Sequence, residues 1–267
     1  MPLAVCATPI GNLEDVTLRV LRELAEADLV LCEDTRRTRR LLERHGISGA
    51  RLLSYHEHNE AKRVGEFLPR LEAGERIALV SDAGLPGIND PGARLVEAAL
   101  DAGVPVSVLP GPSAVETALV ASGLVGERYQ FLGYFPRGES RLAALWAELG
   151  GWAWPAVGFE SPQRLPATLA SLARALPARE VAVCRELTKV FEEVVRGPAA
   201  EVAARFAEPA KGEITLVLGP GAAVGDDSEA LAAVADLVAG GAARRVSAEV
   251  VSRLTGVARN RLYRRTL

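Results

Sequence analysis

Short apolar runs alternate with longer amphipathic segments over the first 112 residues of the chain. The apolar runs predict strands at 3–7, 29–32, 77–80 and 106–109. Between them, apolar residues such as Val16, Val20 and Leu24 recur at three- and four-residue steps, the spacing of a helix with one buried face. This spacing predicts helices at 15–27, 36–45, 60–73 and 93–102. Strands separated by helices of about ten residues predict βαβ units and a largely parallel sheet.

The rest of the chain repeats this alternation with looser spacing. Strands are predicted at 130–133, 156–160, 181–185 and 213–218, and helices at 138–149, 163–175, 199–207 and 228–239. Residues 220–227 are rich in glycine and aspartate, which is typical of a linker. We therefore expect an α/β protein with two α/β domains, 1–112 and 113–222, and a small helical unit at 226–267.

Composition narrows the class of protein. Of the 267 residues, 49% are hydrophobic and 24% are charged, which excludes a disordered or collagen-like chain. No apolar run approaches the roughly 18 residues that span a bilayer, and the N-terminus lacks the basic region of a signal peptide. The three cysteines, Cys6, Cys32 and Cys184, lie in apolar segments that predict buried thiols. A reducing compartment, and so a cytoplasmic protein without a membrane partner, is the simplest interpretation.

Charge is distributed unevenly along the chain. The net charge is −3, but residues 244–267 contain seven arginines and one glutamate, a charge of +6 that leaves −9 on residues 1–243. Residues 246–254 predict a helix capped by Ser247, residues 255–257 a tight turn, and residues 258–265 a second helix with four arginines. This arrangement resembles a helix-turn-helix unit and favours an anionic partner. A solvated arginine-rich helix is the alternative.

Four loops follow predicted strands, at 8–12, 33–36, 81–92 and 110–114. Ligands bind at the carboxyl ends of strands in open α/β sheets, and glycine and proline in these loops suit a backbone that approaches a ligand closely. Asp82 and Asp90, without a basic residue in their loop, favour a neutral or zwitterionic ligand over a polyphosphate. The chain has neither a P-loop nor a Gly-x-Gly-x-x-Gly motif at this position. His56 and His58 have no partner at a metal-ligand spacing, so we expect no metal.

Several motifs along the chain resemble those of the tetrapyrrole-methylase (class III) family. They are Thr8-Pro9-Ile10-Gly11-Asn12-Leu13, Glu33-Asp34-Thr35-Arg36, His56-Glu57-His58-Asn59-Glu60, Ser81-Asp82-Ala83-Gly84 continuing to Ile88-Asn89-Asp90-Pro91-Gly92, Leu109-Pro110-Gly111-Pro112-Ser113-Ala114, Phe159-Glu160-Ser161-Pro162, Arg185-Glu186-Leu187-Thr188-Lys189 and Lys211-Gly212-Glu213. The second and third motifs are similar to the family's ribosomal RNA branch. Leu85, where that branch usually has threonine, and Gly87, where a larger residue is common, depart from the pattern.

The resemblance implies a cofactor, a substrate and an assembly. The cofactor would be S-adenosylmethionine, in a cleft between two α/β domains, and the reaction would be methylation of the ribose 2′-oxygen of cytidine 1402 in 16S rRNA. The substrate would be the 30S subunit or a late assembly intermediate, and the enzyme a homodimer. The implied cofactor-binding residues are Pro9, Gly11, Ser81, Asp82, Ala83, Gly84, Ile88, Asp90, Gly111, Pro112, Ser113, Ala114, Glu160, Leu187 and Gly212.

A ribose hydroxyl is a poor nucleophile, so a hydrogen-bond acceptor beside it would assist such a reaction. The candidate acceptors are Asp34, His56, Glu160 and Glu213, and Lys211 or Arg36 would hold a phosphate. Arginines contact the RNA backbone in many complexes. The predicted RNA-binding residues are Arg36, Arg37, Arg39, Arg40, Arg253, Arg259, Arg261 and Arg264.

Two other functions remain open on the sequence. An enzyme of the same fold would methylate a tetrapyrrole, such as a precorrin or uroporphyrinogen, or a modified protein side chain. A non-catalytic RNA-binding assembly protein would keep the basic tail and lack turnover. The basic stretch at 36–40 and the tail argue against a small substrate, and the intact loops argue against a chain without activity.

Overall fold

The computed structural model describes residues 2–221, 227–255, 257 and 259–266. The chain forms two compact units. The first comprises Met1–Thr117 and Glu186–Glu192, and the second comprises Ala118–Arg185 and Glu193–Leu267. The domain boundaries expected near residues 112 and 226 stay predictions.

The first unit contains a parallel five-stranded sheet. Its strands are β1 (Leu3–Cys6), β2 (Leu29–Cys32), β3 (Leu52–Ser54), β4 (Ile77–Val80) and β5 (Val106–Leu109), in the order β3-β2-β4-β1-β5. Its helices are α1 (Leu18–Glu26), α2 (Thr35–Arg44), α3 (Glu60–Glu72), α4 (Ala93–Asp101) and α5 (Ala114–Ser122), of which the last continues into the second unit. All pairings are parallel, as predicted. Strand β3 was not predicted, because it has only three residues.

Both faces of this sheet are buried. Leu3 and Val5 pack into one hydrophobic cluster, whereas Ala4 and Cys6, the alternate residues of the same strand, pack into another. Since side chains along a strand point alternately to the two faces, a strand covered on both sides needs apolar residues at every position. This arrangement brings the carboxyl ends of β1, β2, β4 and β5, and the loops that follow them, to one edge of the sheet.

The second unit contains a mixed sheet, for which the sequence predicted strands but no strand directions. Its strands are β6 (Gln130–Tyr134), β7 (Ala156–Glu160), β8 (Glu180–Arg185), β9 (Glu193–Pro198) and β10 (Ile214–Leu218), and its helices are α6 (Glu139–Gly150), α7 (Leu165–Ala175) and α8 (Ala199–Arg205). In the order β6-β7-β10-β8-β9, only β6 and β7 pair in parallel. The segment Glu186–Glu192 between β8 and β9 is too short for a parallel crossover. Strand β9 was missed because its sequence is polar.

Three helices follow: α9 (Asp227–Ala239), α10 (Arg244–Thr255) and α11 (Arg259–Arg265). They share a small hydrophobic cluster that includes Val234, Val251 and Leu262. Ser247 was wrongly predicted as a helix cap: α10 begins at Arg244, and the buried Ser247 hydroxyl donates to the Ala243 carbonyl at 3.2 Å. The predicted turn at Gly256 and most of the predicted linker, residues 222–226, lie outside the described residues.

All three cysteines are buried, as predicted, and none of them is in a disulfide. Burial raises the pKa of Cys6 to about 12 and that of Cys32 to about 11. In the part of the chain that the structure describes, no helix is both long and apolar enough to cross a membrane.

Candidate functional site

Two loops at the edge of the first sheet are joined by backbone hydrogen bonds. The Thr8 amide donates to the Gly84 carbonyl at 2.8 Å, and the Gly84 amide donates to the Thr8 carbonyl at 3.0 Å. The buried Thr8 hydroxyl also donates to the Ser81 carbonyl at 3.0 Å. These bonds fix Pro9 and Gly11 beside residues 81–84, so the first two predicted cofactor-binding loops form one surface.

Segment Glu186–Glu192 packs against the first of these loops. A Cβ atom on Gly11 would lie 2.6 Å from Lys189 Cγ and 2.8 Å from the Leu187 carbonyl oxygen, so only glycine fits there. The Asn12 amide donates to Thr188 Oγ1 at 3.0 Å. Leu187, expected to reach the cofactor from the second domain, is buried and belongs to the first compact unit. The left-handed backbone of Glu186 and Thr188, with φ values of 53° and 66°, gives no signal in sequence periodicity.

The loop after β5 also packs closely against the loops that follow β1 and β4. A Cβ atom on Gly111 would lie 2.8 Å from the Cβ of Ala7, at the end of β1. The Pro112 carbonyl oxygen lies 3.9 Å from the position of a Cβ on Gly84. At the start of α5, the Ser113 hydroxyl donates to the Glu116 carboxylate, and Ala114 is the first helical residue. Residues 111–114 therefore adjoin the surface formed by the first two loops.

The loop at 81–92 bends sharply, and a residue distant in sequence holds its second half by a hydrogen bond. Gly84, Gly87, Asn89 and Gly92 all have positive φ angles, between 58° and 136°. In its second half, the Gly92 amide donates to Glu60 Oε1 at 2.9 Å. The His-x-His-Asn-Glu motif contained Glu60, but sequence reasoning gave this residue no role. The role of Glu60 could have been inferred from α4, because a helix that begins at glycine has no side chain of its own to cap it and needs an acceptor from another segment.

Three carboxyl groups give this edge a negative character. Burial, together with the negative charges of Glu33 and Asp82, raises the pKa of Asp90 to about 6, although a hydrogen bond from Ser81 opposes the shift. Burial and the charge of Asp82 also raise the pKa of Glu33. Such groups attract a cation that neutralises them. Among the described residues, no cluster of His, Cys, Asp or Glu side chains is arranged to hold a metal ion.

Asp34, a candidate acceptor, is already engaged in hydrogen bonds. Its Oδ1 accepts from the Arg36 amide at 2.8 Å, which caps α2, and its Oδ2 accepts from Arg36 Nη2 at 2.7 Å. The side-chain and backbone hydrogen bonds from Arg36 hold the pKa of Asp34 well below its usual range. A carboxylate with so low a pKa is a weak acceptor of a proton from a ribose hydroxyl.

His56 is fixed by the amide of Asn59. Asn59 Oδ1 accepts from the His56 amide at 2.9 Å, and Nδ2 donates to the Ser54 carbonyl at 3.2 Å. These two bonds orient the side-chain amide, so the group 3.1 Å from His56 Nε2 is the donor Nδ2. Nε2 is therefore the acceptor of this bond, and His56 Nδ1 is buried with no hydrogen-bond partner among the described residues. Asn59 therefore occupies Nε2, and the expected role of His56 as an acceptor beside the ribose hydroxyl stays a prediction.

The four arginines near the start of α2 that were predicted to bind RNA share its solvent face. Thr38, Leu41 and Leu42 are the buried residues of this helix, and the arginines are exposed: Arg36, Arg37, Arg39 and Arg40. Arg37 Nε lies 3.4 Å from Asp82 Oδ2, which ties this basic face to the acidic loop. In the tail, Arg253 and Arg259 are exposed, whereas the side chains of Arg261 and Arg264 lie outside the described part of the chain.

In the second unit, the Glu160 side chain is fully buried, and both of its carboxylate oxygens accept hydrogen bonds. Its Oε1 accepts from the Ser161 amide at 2.7 Å, and its Oε2 accepts from the Thr168 hydroxyl at 2.5 Å and lies 3.3 Å from Arg164 Nη2. These contacts hold the segment between β7 and α7. Near the start of β10, Lys211 and Glu213 are exposed.

A neighbouring glycine in this unit is held by local contacts. Gly212 has a φ angle of 94°, and the Lys211 carbonyl before it accepts from Arg185 Nη1 at 3.2 Å.

Comparison with known proteins places this fold in a family. The family model of the tetrapyrrole (corrin/porphyrin) methylases matches residues 2–203. Ribosomal RNA small subunit methyltransferase I of Mesorhizobium japonicum is 42% identical over 274 residues, covering 99% of this chain and 91% of that protein. The protein of the same name from Thermotoga maritima is 45% identical over 217 residues, 81% of this chain and 97% of that protein.

A solved structure shares the fold at low identity. Uroporphyrin-III C-methyltransferase from Thermus thermophilus, complexed with S-adenyl homocysteine, superposes with a TM-score of 0.56 at 18% identity, over 81% of this chain and 96% of that chain. The match of the family model over most of the sequence, together with the identity to the two ribosomal RNA methyltransferases, establishes that this chain belongs to the tetrapyrrole (corrin/porphyrin) methylase family.

Proposed function

We propose that this protein transfers a methyl group from S-adenosylmethionine to the ribose 2′-oxygen of cytidine 1402 in 16S rRNA. The relatives that match nearly the whole chain carry the name of a small subunit rRNA methyltransferase, and the shared fold occurs in a protein complexed with S-adenyl homocysteine. The substrate is the 30S subunit or a late assembly intermediate, the enzyme is a cytoplasmic homodimer, and the arginines of α2 and of the tail contact the RNA backbone.

The observation that carries the proposal is the joined surface of the three loops beside the carboxyl groups. At Gly11 and at Gly111, a Cβ atom would collide with a neighbouring residue. The backbone amide and carbonyl groups of Thr8 and Gly84 form two reciprocal hydrogen bonds. Backbone groups held this closely suit the amino-acid portion of the cofactor. The cluster of Glu33, Asp82 and Asp90 suits its positive sulfonium, since a cation favours ionised carboxylates.

The chain's own contribution to the reaction is mainly positioning. S-adenosylmethionine supplies an activated methyl group when bound, so the demanding chemistry belongs to the cofactor. Holding two reactants in line supplies about 7–11 kcal/mol of the barrier. Asp34 and Glu160 are engaged in protein hydrogen bonds, and Nε2 of His56 is engaged by Asn59. Glu213, which is exposed, is the candidate acceptor for the hydrogen bond of the ribose hydroxyl, and the exposed Lys211 is the candidate to hold a phosphate.

The test is transfer of a labelled methyl group to unmethylated 30S subunits, followed by mapping of the labelled nucleotide. Label on the 2′-oxygen of cytidine 1402 supports the proposal. Label on uroporphyrinogen but not on 30S subunits supports the tetrapyrrole alternative. Binding of cofactor and RNA without transfer to any RNA supports the assembly-protein alternative.

A further inference from the structure

Strand β6 contains a bulge that changes where its side chains point. Phe131 pairs with Val157 and Tyr134 pairs with Phe159, so three steps along β6 match two steps along β7. In a regular strand, residues three apart face opposite sides of the sheet. The extra residue instead brings Phe131 and Tyr134 to the same side, because a bulge shifts the alternation by one position.

Glycine makes this bulge possible on both strands. Gly133 has a φ angle of 65°, in the left-handed region that glycine adopts without strain. Opposite it, a Cβ atom on Gly158 of β7 would lie 2.9 Å from the Gly133 carbonyl oxygen. The backbone of the two strands is therefore closely packed at the position where the side chains are redirected.

The redirected rings form an aromatic patch, defined as Phe131, Tyr134 and Phe159. The centroids of Phe131 and Phe159 are 5.3 Å apart and those of Tyr134 and Phe159 are 5.6 Å apart, both in edge-to-face geometry. Edge-to-face contacts hold rings in fixed orientations. Tyr134 is nevertheless 63% exposed, although burial of an aromatic ring would stabilise the fold. Stability alone gives no reason to build a bulge that exposes this ring.

Basic residues follow the patch along the chain. Arg137 and Arg141 are exposed, and Arg137 is three residues beyond Tyr134, a reach of at most about 11 Å. The intervening turn is fixed, because Arg164 Nη2 donates to the carbonyls of Phe135 and Pro136 at 2.9 and 2.7 Å. An exposed ring and a cation at this separation match a nucleobase and its phosphate.

We propose that the aromatic patch stacks against an unpaired base of the RNA substrate while Arg137 contacts the adjoining phosphate. Exposed aromatic side chains on a β-sheet are a common platform for single-stranded RNA, since every base has a flat face to stack. A duplex offers its bases only at its edges, so the partner is a single-stranded segment. This inference rests on the proposed function, because it assumes an RNA substrate.

The experiment compares Tyr134→Ala, Tyr134→Leu and Tyr134→Phe in the full-length protein. The probe is a fluorescently labelled single-stranded RNA of about twelve nucleotides, within the range of lengths that such surfaces cover. Loss of one stacked base weakens binding roughly 5- to 140-fold, so we expect a loss in this range for the alanine and leucine variants. The phenylalanine variant keeps the ring and should bind within about twofold of the unaltered protein. Affinity for S-adenosylmethionine should be unchanged in all three.

Tyr129→Ala is the matched control. Tyr129 is 42% exposed and lies five residues before Tyr134, roughly 17 Å away along an extended strand. We expect the control to bind RNA like the unaltered protein. Because Tyr134 is mostly exposed, its variants should keep the melting temperature of the unaltered protein, which thermal unfolding checks.

The outcomes separate this inference from the proposed function. Unchanged RNA affinity in the alanine variant overturns the patch, and intact methylation of 30S subunits by the same variant leaves the function standing. An equal loss of RNA affinity in the leucine and phenylalanine variants also overturns the inference, because binding would then not depend on an aromatic ring at position 134. If the unaltered protein methylates no RNA, the proposed function fails, and the binding series still decides whether the patch stacks a base.

Discussion

The Glu60 carboxylate accepts the backbone hydrogen of Gly92, 32 residues further along the chain, with 2.9 Å between Oε1 and N. Gly92 is the N-cap of α4 and has no side chain to fill that role. The carboxylate therefore caps the helix from another segment and lies at the positive end of its dipole. The Tyr55 hydroxyl donates to the same oxygen at 3.2 Å, and Arg94 Nε lies 3.8 Å from Oε2. Glu60 thus fixes the far end of loop 81–92.

Glu60→Ala should destabilise the protein and weaken cofactor binding. The change leaves the buried Tyr55 hydroxyl and Gly92 amide without their acceptor, at a cost of about 2–4 kcal/mol. Chemical denaturation measures that loss, and calorimetric titration with S-adenosylmethionine measures the affinity. Glu60→Gln keeps an acceptor oxygen and should recover most of both quantities.

Glu57→Ala is the control for this pair, because Glu57 is an exposed carboxylate in the same motif. Its free energy of unfolding should change by less than about 0.5 kcal/mol. Cofactor affinity in Glu60→Ala equal to that of the unaltered protein would show that Glu60 does not position the loop.

Affinity for S-adenosylmethionine should fall as the pH is lowered below about 6. Burial raises the pKa of Asp90 from 3.8 to about 6, so between these values the folded protein holds a proton that the unfolded chain releases. This group therefore lowers stability as pH rises through that window. A bound cation has the opposite preference, because it favours the ionised carboxylate. Titrations between about pH 5 and 8 measure the trend.

Asp90→Asn removes this charge and should give weaker affinity at neutral pH with a flatter pH dependence. Asp90→Ala should abolish binding, because it also removes the group that Ser81 contacts. A variant that keeps the slope of the unaltered protein would assign the titration to Glu33 instead, whose pKa burial also raises.

Gly111→Trp should abolish cofactor binding. Even a Cβ atom at this position would lie 2.8 Å from the Cβ of the buried Ala7, so a large side chain must displace the turn after β5. Gly65→Ala is a suitable control, because its Cβ has no neighbour within 4 Å and alanine favours a helix. Full affinity in the tryptophan variant would remove this loop from the site.

Truncation after residue 226 should spare cofactor binding and weaken RNA binding. Helices α9 to α11 have a hydrophobic cluster of their own, and the removed segment carries the basic tail. Each lost phosphate contact should reduce the slope of log affinity against log salt by about 0.7–0.9. Filter binding across a salt series measures this slope. A double variant, Arg253→Glu with Arg259→Glu, should reproduce the effect in the full-length chain, and an unchanged slope in both would exclude the tail from RNA binding.

The strands of the first sheet were predictable because burial of both faces requires a continuous run of apolar residues, which is visible in the local sequence. Strands such as β2 must be apolar at every position, and Leu29–Cys32 was predicted to the residue. The mixed second sheet was not predictable in the same way. Whether two strands pair in parallel depends on which strands become neighbours in the folded chain. Strand β9, which is polar, forms because it pairs with β8 and not because its own composition favours a strand.

The sequence alone determined the family, the loops proposed for the site and the basic segments at 36–40 and 244–267, because motifs, turn residues and charges are properties of short segments. Only the tertiary structure decided how those residues are used. It showed that Asp34 and Glu160 are held by neighbours, that Asn59 engages Nε2 of His56, that Glu60 caps a distant helix, and that a bulge turns Tyr134 toward Phe159. Hydrogen bonds and burial between distant segments set these roles, since they govern pKa, tautomer and side-chain direction.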